Sequence, residues 1–183
     1  MALEPLTKDN YMMILPWRNE PAVRRSMFHS NIISGTEHKA WFIRLQQDAT
    51  ARWFVHQTDG VYDGVVYFTG IDWQAKTTLW GFYLAPEAKP GSGMPLGIDG
   101  IDMAFDELKL EVVYARILPD NQKSIRFHLK LSFELLKLPE IAEAAETLSF
   151  HTFVLTKNRW RQCRTEICNK LNQTRKQTTE TSK

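Results

Sequence analysis

The feature that most constrains the fold is a strand-like segment that runs directly into a glycine-rich turn. It spans residues 79–97 and reads LWGFYLAPEAKPGSGMPLG. Its first half is apolar and aromatic, as in a buried strand, and Pro86 ends it because proline cannot donate to a sheet. Gly91 and Gly93 let the backbone approach a ligand without Cβ clashes, and Pro95 suits the first turn of a helix. The segment therefore predicts a strand, a tight loop and a helix start.

This loop has the features of an anion-binding turn. Its backbone N–H groups are expected to point outward together, and the positive end of the following helix dipole adds to them, an arrangement that binds phosphate. A turn and cap with no ligand is the alternative interpretation. The chain has neither the Gly-Lys-Ser/Thr of a triphosphate-binding loop nor the GxGxxG of a dinucleotide fold.

The remaining pattern predicts strands and helices mixed around one sheet. Runs of β-branched and aromatic residues mark strands, and apolar residues at helical spacing mark helices. Thr36 before Glu37 is a candidate N-cap, and Asp59-Gly60 is a hairpin turn. The predicted strands are 3–6, 52–57, 61–71, 77–85, 112–118, 133–138 and 150–156, and the predicted helices are 11–15, 18–28, one that follows Thr36, 94–108, 121–131 and 158–171. This order predicts a single α/β (α+β) domain with a mixed central sheet flanked by helices.

Composition excludes several classes of protein. The chain is 43% hydrophobic and carries 10 Phe, 6 Trp and 5 Tyr, which excludes disorder for most of its length. Its apolar runs are far shorter than the ~18 residues of a membrane span, and no signal peptide is visible, so we expect a cytoplasmic protein with no membrane partner. Cys163 and Cys168 form no CxxC pair, so we expect plain thiols and no metal.

Charge is concentrated near the C-terminus. The whole chain carries +2, but residues 157–183 hold eight lysines and arginines against two glutamates. Such a tail can bind nucleic acid. Because no aromatic residue follows Trp160 to stack on bases, we favour a solvated end without a nucleic-acid partner. The last residues, NQTRKQTTETSK, have the low apolar content of a disordered tail.

Two blocks, in a characteristic order and spacing, give the chain a family resemblance. GFYLAPEAKPGSG is similar to a GFYLxPxxRGxGxG pattern, and NQKSIRFHLKLSF to N-x-x-A/S-x-x-x-Y-x-K-x-G-F. Residues 6–133 thereby resemble the GNAT superfamily of N-acetyltransferases. The resemblance implies an N-acetyltransferase domain over residues 1–157, and the pattern and charge of residues 158–183 predict a basic C-terminal helix and disordered tail. Acetyl-coenzyme A (acetyl-CoA) would be the co-substrate, without a metal.

Further segments narrow the resemblance to one branch of the superfamily. Trp17-Arg18-Asn19, Met27, His38 and Trp41-Phe42 are similar to the branch of ribosomal-protein and nucleotide-sugar acetyltransferases. Residues 68–73 and 80–86, the Pro-Gly-Ser-Gly loop and residues 124–128 most resemble the acetyltransferases of pseudaminic acid biosynthesis. This implies acetylation of the primary amine of a UDP-linked amino sugar. A protein N-terminus is the alternative acceptor, and a non-catalytic module that binds coenzyme A (CoA) is a second alternative. A homodimer is a further expectation.

The resemblance also implies the cofactor contacts. Acetyl-CoA would lie in a V between two strands, held along residues 80–85 by main-chain hydrogen bonds, with the Leu84 N–H on the developing oxyanion. Loop amides would hold the pyrophosphate. The implied cofactor-binding residues are Phe82, Leu84, Lys89, Gly91, Ser92, Gly93, Met94, Asn121, Ser124 and Phe127.

Direct attack of an amine on a thioester needs a base for the amine and favours an acid for the thiolate. Asp72, at a strand end, and Glu87 are candidate bases; the alternative is a turn residue or surface charge. His128 stands where the family usually has its tyrosine acid, and histidine can donate a proton near neutral pH. A packing histidine is the alternative.

The acceptor would meet residues of the N-terminal helices. Arg18 and His38 are candidates for a diphosphate, Met27 and Trp41 for a base, and Asp72 for the amine. The alternative is that Met27 and Trp41 are core residues and that Arg18 is a paired surface charge. The sequence departs from the family pattern at four places: Pro90 replaces Arg, which removes one loop N–H and one cation, Pro95 replaces Gly or Ala, Ser132 replaces Gly, and the Glu-Gly continuation after Phe133 is missing.

Overall fold

A computed structural model describes residues 2–136 and 150–181 as helices packed on one mixed sheet. The described strands, in the sheet order β1-β2-β3-β4-β5-β7-β6, are β1 Leu3–Pro5, β2 Arg52–Thr58, β3 Val61–Asp72, β4 Thr77–Leu84, β5 Val112–Ile117, β7 His151–Thr156 and β6 Glu134–Leu135. The described helices are α1 Ile14–Asn19, preceded by a 3₁₀ turn at Tyr11–Met13, then α2 Pro21–Arg24, α3 Gly35–Gln47, α4 Gly93–Asp102, which continues as a wider turn at Met103–Glu107, α5 Gln122–Lys130 and α6 Lys157–Thr181. The predicted element order and fold class are confirmed.

Local sequence explains the hairpins that build this sheet. Asp59 and Gly60 have φ angles of 51° and 78°, as a two-residue turn with both central residues in the left-handed region requires. They join β2 to β3, which continues into β4 by a second antiparallel pairing. The next connection is a crossover: α4 leads to β5, which lies parallel to β4.

Side chains alternate between the two faces of the sheet, and each face has its own core. One core packs α4, α5 and α6 against Trp80, Phe82 and Leu84 of β4. The other packs α1 and the side chains of α3 against Tyr83 and its neighbours on β2 and β3. Alternate residues of β4 therefore serve different layers.

Several boundaries differ from prediction. The N-cap of α3 is Ser34, two residues before Thr36: the Glu37 N–H donates to Ser34 Oγ over 3.2 Å, and the Glu37 carboxylate accepts from the Ser34 N–H over 2.7 Å. This reciprocal capping box gives an acceptor to two backbone N–H groups that would otherwise lack one, which Thr36 alone would not do. Pro16 lies inside the first turn of α1 rather than at a helix end, because a proline there costs no internal hydrogen bond.

The C-terminal elements also differ. Only Glu134 and Leu135 of the predicted strand 133–138 form β6, and residues 137–138 lie outside the described residues. Helix α6 continues to Thr181, past the predicted end at 171 and into the segment whose composition indicates disorder. Cys163 and Cys168 are half-buried free thiols. Within the described part of the chain, no helix has the length and apolar content to cross a bilayer.

Candidate functional site

The sheet opens between β4 and β5. Their parallel pairing covers Thr77 to Leu79 on β4 and Val112 to Tyr114 on β5. Beyond this point β4 continues to Leu84 and β5 to Ile117, and in the described sheet the two strands no longer pair. The carboxyl half of β4 thus keeps one side of its backbone free inside the sheet.

The direction of the β4 amides follows from one hydrogen bond. The N–H of Ala85 donates to the Asp63 carbonyl of β3 over 2.9 Å. Because main-chain groups alternate in direction along a strand, the N–H groups of Phe82 and Leu84 point the other way, into the opening. This matches the role expected for the Leu84 amide as a donor to an oxyanion.

Helix α4 begins beside the end of β4. Gly91 has a φ of +92°, and a Cβ built there would meet no atom within 4 Å, so the turn faces open space. Gly93 and Met94 lie in the first turn of α4, where backbone N–H groups have no intrahelical acceptor. Their amides and the helix dipole are available to an anion. Lys89 is exposed just before the turn and can add a cation.

One predicted member of this loop is corrected by the structure. The N–H of Ser92 donates to the carbonyl of Lys89 over 3.1 Å, and its side chain is buried. The Ser92 amide is therefore occupied within the protein and does not point toward a ligand. Pro95, the third residue of α4, has no N–H to offer. The amides of Gly91, Gly93 and Met94 remain available.

The start of α4, the end of β4 and one face of α5 meet at Gly93. A Cβ built on Gly93 would lie 3.7 Å from Phe127 Cε2 and 3.8 Å from Leu84 Cδ1. Four residues on, a Cβ on Gly97 would lie 2.6 Å from Phe127 Cζ and 2.8 Å from Leu131 Cδ1. Glycine at position 97 thus lets α4 and α5 approach closely, and Phe127 lies beside the first turn of α4.

Asn121 and Ser124 have structural roles at the start of α5. The Asn121 Oδ1 accepts the Ser124 N–H over 3.0 Å and caps the helix. Ser124 is half-buried, and its hydroxyl lies 3.3 Å from the Nδ1 of His128. Their predicted contacts with a cofactor must therefore come from the side-chain groups that these bonds leave available.

His128 is not placed to act as a proton donor at neutral pH. It is 3% exposed and is surrounded by aromatic rings, with Trp80, Phe127 and Phe133 edge-on to it. Burial lowers the pKa of His128 to about 4, although its bond to the Ser124 carbonyl acts in the opposite direction. Since that carbonyl can only accept, Nδ1 carries the proton of the neutral ring, 2.8 Å away. The expectation of a general acid at His128 is thus wrong, and its packing interpretation fits.

Asp72 is also in the wrong place for catalysis. It is exposed, and its Oδ1 accepts the N–H groups of Gln74 and Ala75 over 2.9 and 2.8 Å, which makes it a turn residue. It pairs with Thr77, at the opposite end of β4 from Leu84. The seven residue-to-residue steps from Thr77 to Leu84 span roughly 23 Å. Both predictions for Asp72, as base and as acceptor contact, are therefore wrong. Glu87 is an exposed turn residue.

The opposite face of the opening carries Arg18. Its Nη2 donates to the His29 carbonyl over 2.8 Å, while its buried Nη1 has no hydrogen-bond partner among the described residues. Burial raises the pKa of Tyr67 and of Tyr83, and the charge of Arg18 acts on both phenols in the opposite direction. The Arg18 guanidinium therefore faces two protonated phenols and keeps one unused donor.

His38, Trp41 and Met27 belong to the core on this face. His38 is 4% exposed, and its Nε2 lies 2.8 Å from the Tyr11 carbonyl. Burial lowers the pKa of His38, so its ring is neutral. The prediction that His38 binds a diphosphate is wrong for this reason. Trp41 packs edge-on against Trp53 with ring centroids 4.8 Å apart, and Met27 packs on the same cluster, as the core interpretation predicts.

The sequence did not point to a second cation on this face. Because Val113, Ala115 and Ile117 of β5 are buried in the core with α4 and α5, Arg116 points to the Arg18 side of the sheet. Its guanidinium lies 4.7 Å from the ring centroid of Phe150. Phe28, from the loop after α2, meets the same ring at 5.8 Å. Alternation along β5 was the signal that could have identified Arg116.

Comparisons with known proteins agree with this geometry. Residues 1–134 match a family described as acetyltransferase (GNAT) domain. Among curated proteins, the chain is similar to "Acetyltransferase PseH" of two Campylobacter jejuni strains, serotypes O:23/36 and O:2, each 28% identical over 130 residues, or 71% of this chain and 80% of the relative.

Solved structures show the same fold. One is a spermidine N-acetyltransferase from Vibrio cholerae in complex with CoA and spermine, with a TM-score of 0.75 and 17% identity over 86% of this chain and 96% of that one. Another is Campylobacter jejuni N-acetyltransferase PseH in complex with acetyl coenzyme A, with a TM-score of 0.64 and 22% identity over 85% of this chain and 97% of that one.

Proposed function

Because this chain belongs to the acetyltransferase (GNAT) family, we propose that it transfers an acetyl group to the primary amine of a UDP-linked amino sugar. Family membership confirms the resemblance found in the sequence, including N-acetyltransfer with acetyl-CoA as the co-substrate. The sugar acceptor is the proposed part. It rests on the unpaired donor of Arg18 and is supported by relatives at 28% identity whose branch the sequence itself resembles.

The opening between β4 and β5 fits acetyl-CoA. Main-chain groups of Phe82 and Leu84 would bind its extended arm as an added strand would. The amides of Gly91, Gly93 and Met94 would hold its pyrophosphate at the positive end of α4. Acetyl-CoA supplies a thioester carbonyl that an amine can attack. The Leu84 N–H would donate to its oxygen as negative charge develops, a contribution of about 3 kcal/mol in other enzymes.

Arg18 carries the argument for the acceptor. A buried charged nitrogen without a partner is costly, and an anionic oxygen of a substrate would remove that cost. Arg116 adds a second guanidinium on the same face. These two cations favour an acceptor that carries phosphate and disfavour a polycation such as the spermine bound by the Vibrio cholerae enzyme. A nucleotide sugar combines a diphosphate with a planar base, which suits arginines beside aromatic rings.

Incubation with acetyl-CoA and each of three acceptors tests the proposal: a UDP-linked amino sugar, a peptide with a free N-terminus, and spermidine. We expect mass spectrometry to detect an acetylated sugar and a much slower reaction with the other two. Acetylation of the peptide in preference to the sugar would support the protein N-terminus as acceptor and contradict the sugar.

A pair of variants then tests Arg18 itself. Arg18→Met should raise the KM for the sugar about tenfold or more, because a charge-assisted hydrogen bond is lost, while CoA affinity stays unchanged. Arg25→Met is the matched control, since Arg25 is an exposed arginine of the same region. Equal KM values for the two variants would mean that Arg18 does not bind the acceptor.

A further inference from the structure

A buried histidine links three elements beneath the cofactor opening. His56 of β2 is 1% exposed. Its Nδ1 lies 2.5 Å from Asp63 Oδ1 on β3, and its Nε2 lies 3.1 Å from Asp99 Oδ2 on α4. The hydroxyl of Thr58 donates to the other Asp63 oxygen over 2.7 Å. Neither the motifs nor the function proposed above uses these residues.

The hydrogen bonds require a protonated ring. Both carboxylates can only accept while ionised, so both ring nitrogens donate and His56 is an imidazolium. Burial by itself would lower the pKa of His56, but the bonds to Asp99 and Asp63 outweigh it and raise the pKa above its usual value. The neighbours in register, Leu3 on β1 and Gly64 on β3, carry no charge, and the charged groups that act on the ring are Asp63 and Asp99.

Each carboxylate belongs to one part of the cofactor opening. The main-chain carbonyl of Asp63 accepts the N–H of Ala85, the residue after Leu84. Asp99 lies on α4, the helix whose first turn contains Gly93 and Met94. His56, Gly64 and Leu84 are aligned across three strands, which places the imidazolium roughly 10 Å from Leu84. The cluster therefore connects the end of β4 to the body of α4.

Helix α4 packs on the sheet through apolar contacts, among them the fully buried side chains of Leu96 and Ile101. The helix lies closest to the sheet at Gly100, where a Cβ would lie 3.1 Å from Val66 Cγ1 and 3.2 Å from Trp80 Cζ3. Apolar contacts of this kind hold the helix close but do not fix its position along the sheet, since the hydrophobic effect is non-directional. The bond from His56 to Asp99 supplies a fixed point.

We propose that Asp63, His56 and Asp99 are positioning residues that hold the end of β4 and the first turn of α4 at the separation acetyl-CoA requires. The proposal rests on the pyrophosphate site described under the proposed function. It predicts that loss of the imidazolium proton, or of the Asp99 carboxylate, weakens cofactor affinity although none of the three residues touches the cofactor.

Titration calorimetry with CoA, across a pH series that runs from neutral pH into the alkaline range, tests this, because the raised pKa of His56 moves the loss of its proton to higher pH. Asp99→Asn keeps the shape of a half-exposed side chain and should bind CoA about fivefold more weakly than wild type. Because one carboxylate is gone, the pKa of His56 should fall, and the pH at which affinity declines should move downward. His56→Gln should lose that decline altogether. Because CoA ionises in the same way in both experiments, the ratio of the CoA affinities of His56→Gln and wild type at each pH removes the contribution of CoA itself.

Asp106→Asn is the control, since it removes one exposed carboxylate from the turn that continues α4. We expect wild-type affinity and pH dependence from it. A folded Asp99→Asn protein with wild-type CoA affinity and pH profile would overturn the proposal, even if its melting temperature is lower. The measurement needs no acceptor, so failure to acetylate a sugar would leave it unaffected.

Discussion

Leu84 and Gly93 face each other across a gap about as wide as one methyl group, with a Cβ on Gly93 falling 3.8 Å from Leu84 Cδ1. The residue whose amide points into the opening and the residue that starts α4 are thus neighbours, although the Gly-rich turn separates them in sequence. The end of β4 and the first turn of α4 therefore form one corner of the protein beside the opening. Small changes at this corner should affect cofactor binding first.

Gly93→Asp should weaken CoA binding by about tenfold or more, because its carboxylate would face the pyrophosphate at short range. The fold should survive, since the Cβ has room and an acidic residue suits the first turn of a helix. Calorimetry with CoA and a thermal melt measure the two effects. Gly93→Ala is the control and should bind normally; equal affinity in both variants would contradict the loop assignment.

Gly97→Ala should destabilise the protein by about 1–2 kcal/mol, because the new methyl group overlaps Phe127 and Leu131. Gly93→Ala adds the same group on the same helix, where the nearest atoms are 3.7 and 3.8 Å away, and should change the free energy of unfolding little. Urea unfolding of the pair measures the difference. Equal stabilities would show that α4 and α5 can move apart at no cost.

His128 should make the protein sensitive to acid. Its folded pKa is about 4 against an ordinary value of 6.5, so the unfolded chain takes up a proton that the folded protein excludes. Stability is therefore lost as pH falls from about 6.5 to about 4, by up to about 3 kcal/mol. His128→Phe should flatten this part of the stability profile and leave the pH dependence of kcat near neutrality unchanged. A loss of that kcat profile would restore His128 as an acid.

Asp102→Ala should lower the free energy of unfolding by about 2–3 kcal/mol. Its Oδ1 accepts the N–H of the Trp160 indole over 2.8 Å, and that tryptophan is 1% exposed, so a buried donor would lose its partner. Arg164→Met removes the ion pair of Asp102 but leaves no buried polar group without a partner. Because Arg164 is exposed, this variant should lower the free energy of unfolding by less than about 1 kcal/mol. Chemical unfolding of both variants would show equal losses if the indole bond contributes nothing.

Sequence patterns within a few residues predicted the strands, turns and helices, whereas the positions of the site residues depend on how those elements pack together. The turn at Asp59-Gly60, the strand before Pro86 and the loop at Gly91 follow from steric rules that act within a few residues. Asp72 looked catalytic because it follows a strand, but only the register with Thr77 shows that it lies at the wrong end of β4.

The environments of the histidines could not be predicted in the same way. His56 meets an aspartate 43 positions away through a crossover helix. His128 occupies a family position for an acid, yet the rings around it come from β4, α5 and the segment before β6. A pKa depends on these distant neighbours, and no local pattern records them.

Because the pairing of β4 with β5 ends early, an unpaired strand border lies inside the sheet and not only at its outer edges. Main-chain groups at such a border recognise any extended molecule that carries amides, whatever its side groups, so this contact cannot distinguish one acyl thioester from another. If acetyl-CoA lies there as proposed, selection for acetyl over longer acyl chains has to come from side chains around the opening.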